Sequence, residues 1–233
     1  MQPRRLPDSL PPGIDVFQLA LDLAAPLSDA DWGLLSEEEG VRALRFHRHD
    51  DKVRFVATRV ALRRLLGARL RCRPQTLRFV TNPYGKPRLE AACSSNPPVF
   101  FNVSHAGSFA LIALYERAPV GVDIERRDPR CDVIGLSAQA LSVFERRLSD
   151  DRHIDFFECW TAKEAVLKAL GLGVAEHLQQ LSVLKLGPAE GASYDIRHEG
   201  MDWPRVSALR LDSPPGYAAT LAWQPDGKGE MKW

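Results

Sequence analysis

The chain has few lysines and few cysteines, and it has no long apolar run. Only seven of its 31 basic residues are lysines, and three of these are Lys86, Lys163 and Lys168. The four cysteines lack the C-x-x-C spacing and nearby histidines of a zinc site, and they suggest no disulfide framework. No apolar stretch approaches the length that spans a bilayer, and the N-terminal residues lack the apolar core of a signal peptide. We therefore expect a cytoplasmic protein with reduced thiols and no membrane partner.

The charges of the chain are nearly balanced. A net charge of +1 argues against broad electrostatic binding to nucleic acid. With 233 residues, 45% of them hydrophobic, the chain can bury a large core as one large domain or two small ones. In a chain so rich in arginine, the use of lysine in a candidate site favours phosphate binding, because the compact charge of lysine helps to bind phosphate.

The two halves of the chain repeat the same order of segments. The matching pairs are GIDV at Gly13 with GVDI at Gly121, residues 57–67 with 161–171, and the glycine-led segments after Gly107 and Gly216. This order predicts a duplicated α/β unit, with lobes at 1–118 and 119–233 that meet near a proline. We expect an α+β fold with a ligand cleft between the two lobes.

The segment WTAKEAVLKALG, from Trp160 to Gly171, predicts a helix that ends at its glycine. Glu164 and Lys168 are four residues apart and share a face, with Trp160 one turn earlier. A surface ion pair on an amphipathic helix would explain this pattern if it stood alone. The pattern becomes more informative beside a second segment, GVDIE.

Asp123 and Glu125 alternate on the strand that GVDIE predicts, so both carboxylates point to one side, and the intervening Val122 and Ile124 should face the core. Together with Glu164 they suit a hard divalent cation such as magnesium, which takes protein carboxylates along with phosphates and water. The alternative is an exposed strand edge whose acids pair with the arginines that follow.

Two polar segments of the first half could bind phosphate. FNVSHAG predicts the end of a strand and a turn, in which Asn102, Ser104 and His105 offer polar groups. The same groups could instead satisfy their own backbone. GKP, around Lys86, predicts a rigid turn that either presents a lysine or is simply a turn. A Ser–His–Asp hydrolase is disfavoured, because adjacent residues on an extended segment point opposite ways and no G-x-S-x-G is present.

In this order, NPYGKP, FNVSH, GVDIE and WTAKEAVLKALG resemble the 4′-phosphopantetheinyl transferases, in particular their long, surfactin-type (Sfp-type) branch. The W-x-x-K-E-A-x-x-K pattern is matched without a departure, and the resemblance runs from about Arg45 to Leu184. It implies the 4′-phosphopantetheinyl transferase fold, which is a pseudo-twofold pair of α/β lobes with the active site in the cleft. For the long branch it also implies a monomer.

The resemblance implies transfer of the 4′-phosphopantetheine moiety of coenzyme A to a serine of an apo acyl, peptidyl or aryl carrier protein. Adenosine 3′,5′-bisphosphate would be released. The implied Mg²⁺ ligands are Asp123, Glu125 and Glu164. The implied catalytic residues are Glu164, as a base acting directly or through metal-bound water, and Lys168 on the pyrophosphate. Further implied contacts to coenzyme A are Arg45, Lys86, Asn102, Ser104 and His105, with Arg42 a weaker candidate.

Several alternatives stay open at this stage. Residues 133–148 could dock an acidic carrier-protein helix or could simply cover the core. Lys163 is either a secondary phosphate contact or a solvated helix residue. A magnesium-dependent nucleotide phosphohydrolase would share the carboxylates but would use water as acceptor. A non-catalytic coenzyme A-binding module would keep the polar turns but would not need all three carboxylates.

Overall fold

A computed structural model describes residues 2–7, 10–90, 98–149, 154–187, 193–198 and 202–225 of the chain. The first half contains, in order, β1 (Arg4–Arg5), β2 (Ile14–Ala20), α1 (Asp29–Trp32), α2 (Glu37–Leu44), α3 (His49–Leu70), β3 (Phe79–Thr81), β4 (Pro87–Leu89), β5 (Phe100–Ala106) and β6 (Phe109–Tyr115). The second half contains β7 (Val120–Arg126), α4 (Val133–Ala140), α5 (Val143–Ser149), α6 (Phe156–Leu170), α7 (Val174–His177), β8 (Leu181–Leu186), β9 (Ser193–His198), β10 (Ser207–Arg210) and β11 (Tyr217–Trp223).

The strands form two antiparallel sheets and a small hairpin. The first sheet has the order β1-β2-β6-β5, the second has the order β7-β11-β10-β9-β8, and β3 pairs with β4. Within the sheets, β2 pairs antiparallel with β6 as β7 does with β11. Helix α3 packs on the first sheet and α6 on the second. This correspondence confirms the predicted α+β fold with a repeated unit.

Most of the core lies at three interfaces: α3 with the first sheet, the first sheet with the second sheet, and the second sheet with α6. Strand β6 shows this clearly, because successive side chains of a strand point to opposite faces. Its Ile112 and Leu114 pack with Leu62 and other residues of α3, whereas Leu111 and Ala113 pack with residues of the second sheet. Because β6 is covered on both faces, all of its residues except Phe109 are buried.

Two details differ from the sequence-based expectations. The repeat pairs Gly67 with Gly171 and so predicts that the long helix of the first half ends at Gly67; this is wrong, because α3 continues to Leu70 and Arg71 takes the left-handed conformation, with φ 53°. A Cβ at Gly67 would lie 3.0 Å from the Cys72 carbonyl oxygen, so the glycine admits the returning chain. The prediction of a turn that starts at Ser104 is also wrong, because β5 stays paired with β6 as far as Ala106.

Among the described residues, no helix combines the length and the apolar character needed to cross a membrane. Cys72, Cys131 and Cys159 are free thiols. Cys93 lies outside the described residues.

Candidate active site between strand β7 and helix α6

Helix α6 lies directly on strand β7 because Gly121 has no side chain. A Cβ added at Gly121 would overlap the carbonyl oxygen of Ala165 and would lie 2.5 Å from the Ala169 nitrogen. At the start of α6, Asp155 accepts a hydrogen bond from the Glu158 N–H, and at its end Gly171 takes the left-handed conformation, with φ 74°. The predicted helix and its glycine stop are therefore confirmed.

This close packing brings one lysine of α6 onto a carboxylate of β7. The Lys168 ammonium donates to Asp123 Oδ1 at 2.5 Å and lies 3.1 Å from Glu164 Oε2. Ser104 Oγ donates to the same Asp123 oxygen at 2.7 Å. The Asp123 side chain is only 1% exposed and that of Lys168 is 22% exposed, so this ion pair is largely shielded from water. A single polar cluster is thus built from Asp123 of β7, Glu164 and Lys168 of α6, and Ser104 of β5.

The charges of the cluster shift the pKa values of its members. Burial, together with the nearby Asp123 and Glu164 carboxylates, raises the pKa of Glu125 to about 7. Burial and Asp123 likewise raise the pKa of Glu164. Burial alone would lower the pKa of Lys168, but the Asp123 and Glu164 carboxylates outweigh it and raise the pKa. The Trp160 side chain acts in the opposite direction and lowers the pKa of both glutamates. The result is a charged lysine beside carboxylates of increased basicity.

The cluster contains carboxylate oxygens, which are the type of ligand that a magnesium ion prefers. Within the described part of the chain, Asp123 Oδ2 is buried without a hydrogen-bond partner. The charge of Asp123 contributes to the raised pKa values of the nearby Glu125 and Glu164. The described residues contain no group of three or more His, Cys, Asp or Glu arranged to hold a metal. One or two protein carboxylates suffice for Mg²⁺ when substrate phosphates and water complete its shell.

Two side chains of β5 join the first sheet to β7. Asn102 Oδ1 accepts a hydrogen bond from the Val122 N–H at 2.8 Å, and Ser104 Oγ accepts one from the Ile124 N–H at 3.4 Å. Val122 and Ile124 are fully buried between the sheets, as their alternation with the two acids predicted. The buried Asn102 and Ser104 therefore align β7 with the first sheet. Their assignment to coenzyme A stays a prediction.

His105 points to the other side of β5, beside a cavity of about 620 Å³. Surrounding protein atoms and the positive charges of Arg54 and Lys168 lower the pKa of the exposed His105 imidazole. Residues that line this cavity include Arg42, Phe55, Arg59, Phe79, Pro87 and His105. Arg45 is exposed at the end of α2, where it lines a separate recess. Of the two arginine candidates, Arg42 is thus the one that shares a cavity with His105.

The sequence reasoning missed two arginines beside this cavity. Arg59 lies 5.0 Å from the ring centroid of Phe79, and its buried Nη1 has no hydrogen-bond partner in the described part of the chain. Arg63 is 1% exposed and donates to Glu39 at 2.8 Å. Their signal in the sequence is two cations four residues apart on a helix whose other residues are mostly apolar.

Two further lysines have partners that the sequence did not suggest. The Lys86 ammonium donates to the carbonyl oxygens of Val120 and Lys168, at 3.0 and 2.6 Å. Burial and the charge of Lys168 lower the pKa of Lys86 to about 7. Lys163 is fully buried, 2.5 Å from Glu145 Oε2, and also donates to two backbone carbonyls. Both interpretations of Lys163 are therefore wrong, because it is a core ion pair and neither a phosphate contact nor a solvated residue.

A shielded lysine that contacts carboxylates is typical of an enzyme that transfers a phosphorylated group. Comparison with known sequences is more specific. The family model described as "4′-phosphopantetheinyl transferase superfamily" matches residues 119–222, and the one described as "4′-phosphopantetheinyl transferase, N-terminal" matches residues 29–117.

Three relatives illustrate the match. A putative 4′-phosphopantetheinyl transferase of Synechocystis sp. is 38% identical over 161 residues, which are 67% of this chain and 65% of that protein. The 4′-phosphopantetheinyl transferase HetI of Nostoc sp. is 33% identical over 201 residues, 82% of this chain and 81% of that one. The 4′-phosphopantetheinyl transferase Sfp of Bacillus subtilis is 27% identical over 152 residues, which are 64% of this chain and 66% of that protein.

The chain belongs to the 4′-phosphopantetheinyl transferase superfamily. Members of this family transfer phosphopantetheine from coenzyme A to carrier proteins, and this chain is a transferase of that kind.

Proposed function

We propose that this chain transfers 4′-phosphopantetheine from coenzyme A to a serine hydroxyl of an apo acyl, peptidyl or aryl carrier protein. The serine oxygen forms a bond to the phosphorus that bears pantetheine. The bond from that phosphorus to the bridging pyrophosphate oxygen breaks, and adenosine 3′,5′-bisphosphate leaves. The serine proton passes to a base. The observation that carries this proposal is the shielded Lys168–Asp123–Glu164 cluster, whose lysine is close enough to His105 for its charge to lower the pKa of that imidazole.

In this proposal, Glu164 is the base and Lys168 neutralises the pyrophosphate. A raised pKa makes the Glu164 carboxylate a better proton acceptor than an ordinary glutamate. The Lys168 ammonium keeps its proton, because two carboxylates raise its pKa. Mg²⁺, held by Asp123, Glu125 and Glu164, would supply further charge neutralisation at the phosphates. The Lys168 ammonium has three N–H donors and contacts Asp123, Glu164 and Ser104, so a phosphate of coenzyme A would take the place of one of these contacts.

The remaining contacts to coenzyme A are assigned to the first half of the chain. We place the adenosine and its 3′-phosphate in the cavity beside His105, with Ser104 and Asn102 as neighbouring contacts, and we assign a further contact to Arg45, which lines a separate recess. The positive charge of Arg42 and Arg59 along the cavity supports this placement. The division into lobes 1–118 and 119–233 is supported by the two family matches, which end at 117 and begin at 119.

Replacing His105 by alanine should raise the KM for coenzyme A roughly tenfold, because a hydrogen bond to a charged phosphate is lost. The KM for dephospho-coenzyme A should change much less, since that substrate lacks the 3′-phosphate. Steady-state kinetics with both substrates measure the difference. His198→Ala is the matched control, because His198 lies on β9 and packs against Trp203. Equal losses with both substrates would contradict the assignment of the 3′-phosphate.

We assign carrier docking to the exposed face of α4 and α5. Ala140 and Glu145 of this segment are buried in the core, whereas Ile134 is 87% exposed and Val143 is 53% exposed. Arg147 is exposed beside them. An apolar surface flanked by arginines suits the helix of an acidic carrier protein.

Reversing the charges of Arg146 and Arg147 to glutamate should raise the KM for the carrier roughly tenfold, through lost electrostatic attraction. The KM for coenzyme A should stay unchanged. Both constants come from steady-state kinetics, and Arg205→Glu, at another exposed arginine, is the control. An unchanged carrier KM would defeat this docking surface.

The activity itself is tested by incubating the protein with coenzyme A, Mg²⁺ and an apo carrier protein. Intact-mass spectrometry should show the phosphopantetheinyl increment on the carrier, and its loss when EDTA replaces Mg²⁺. Hydrolysis of coenzyme A without modification of any carrier would favour a phosphohydrolase. Binding of coenzyme A without either reaction would favour a non-catalytic module. We further propose that the enzyme is cytoplasmic, monomeric and a member of the Sfp-type branch. Size-exclusion chromatography with light scattering would test whether it is a monomer.

A further inference from the structure

The hairpin of β3 and β4, in the first half of the chain, reaches the C-terminal end of helix α6 in the second half. Asn82 Nδ2 donates to the Gly171 carbonyl at 2.8 Å. The Lys86 ammonium donates to the Lys168 carbonyl at 2.6 Å and to the Val120 carbonyl at 3.0 Å. One side chain therefore holds the end of α6 and the start of β7 at the same time.

Physical chemistry favours a cation at this position. The last four carbonyls of a helix have no partner within the helix, and they carry the negative end of its dipole. In α6, two of these carbonyls bond to the chain that follows, as the Leu172 N–H donates to the Leu167 carbonyl at 3.0 Å. The other is the Lys168 carbonyl, which accepts from the Gly171 N–H at 3.2 Å and gains Lys86 Nζ as a second donor.

The turn that carries Lys86 is itself built to face α6. Asn82 Oδ1 accepts hydrogen bonds from the N–H groups of Tyr84 and Lys86, at 3.0 and 2.8 Å, so the residue that bonds to Gly171 also shapes the turn. The Tyr84 ring lies against Gly173: a Cβ added at Gly173 would be 2.9 Å from Cδ1 of Tyr84. Three residues of one turn thus contact the chain at the end of α6.

We infer that Lys86 is a positioning residue, which clamps the last turn of α6 to β7 and so keeps Lys168 in register with Asp123. This inference rests on the proposed function of Lys168. It replaces the phosphate contact predicted from the GKP motif, because the ammonium points to two backbone carbonyls of the protein.

The test combines amide hydrogen exchange with a double-mutant cycle. In Lys86→Met, without coenzyme A or carrier, the amides of residues 168–172 should exchange at least tenfold faster than in the wild type. The kcat for transfer should fall on the order of tenfold to a hundredfold, as expected for a misplaced reactive group. In a Lys168→Ala background, Lys86→Met should cause little further loss, because both changes disable the same group.

Independent phosphate binding by Lys86 predicts the opposite results. Exchange in the ligand-free protein would then be unchanged, and the losses in kcat/KM from the two substitutions would multiply; either result overturns the inference. Arg88→Met, at an exposed cation of the same hairpin, is the control, and Lys86→Arg should restore part of the protection. If Lys86→Met does not fold, Asn82→Asp removes the donor to Gly171 and should accelerate the same amides. A wild-type protein without transfer activity would defeat the proposed function, while the exchange measurement would still decide the role of Lys86.

Discussion

Substituting Glu164 with glutamine is expected to reduce transfer on the order of a thousandfold while leaving the protein folded. The substitution keeps the shape of the side chain but removes the charge that would accept the serine proton and bind Mg²⁺. Folding should persist, because Glu164 is partly exposed and its partner Lys168 keeps the shorter contact to Asp123.

Single-turnover assays, read by the mass of the carrier, measure this loss directly. Thermal unfolding followed by circular dichroism separates a catalytic defect from a folding defect. Glu176→Gln, at an exposed carboxylate on α7, is the matched control and should behave as the wild type. Turnover near the wild-type rate in Glu164→Gln would remove this residue from the mechanism.

The second large effect is expected at Gly121, where valine should lower the free energy of unfolding by more than about 3 kcal/mol. Any Cβ at this position overlaps backbone atoms of Ala165 and Ala169, which cannot move aside as a side chain could. Helix α6 would have to lift away from β7. Lys168 would then lose its contact with Asp123, and activity should fall together with stability.

Denaturant unfolding of the variant measures this cost. The matched control is Gly40→Ala in helix α2, where an added Cβ meets no atom within 4 Å. Alanine there should be neutral or should stabilise by about 0.5–1 kcal/mol, because it favours the helix. An unfolding free energy of Gly121→Val within about 1 kcal/mol of the wild type would contradict the backbone contact.

Local patterns in the sequence were enough to predict α6, β7 and the placement of their acids. The 3.6-residue period and a terminal glycine predicted α6, and the alternation along β7 correctly placed Val122 and Ile124 in the core. The repeated order of segments predicted the paired sheets. These features depend on neighbours in sequence, so a single chain carries enough information to identify them.

Strand β5 shows where local reasoning fails. Ser104 and His105 have turn-like polarity, yet they lie on a strand because β6 supplies their pairing partners. The buried Asn102 and Ser104 are tolerated on β5 because N–H groups of β7 donate hydrogen bonds to their side-chain oxygens. Neither partner is adjacent in sequence, so the polarity alone was misleading.

The three lysines show most clearly which features follow from the amino-acid sequence and which depend on tertiary packing. The sequence placed Lys163 and Lys168 on one helix and Lys86 in a turn, and it marked all three as rare cations in an arginine-rich chain. The tertiary structure paired Lys163 with Glu145, Lys168 with Asp123, and Lys86 with two backbone carbonyls. The physical reason is that a buried ammonium must find an acceptor. Which acceptor it finds depends on segments that are distant in sequence and meet only when the two sheets and their helices pack together.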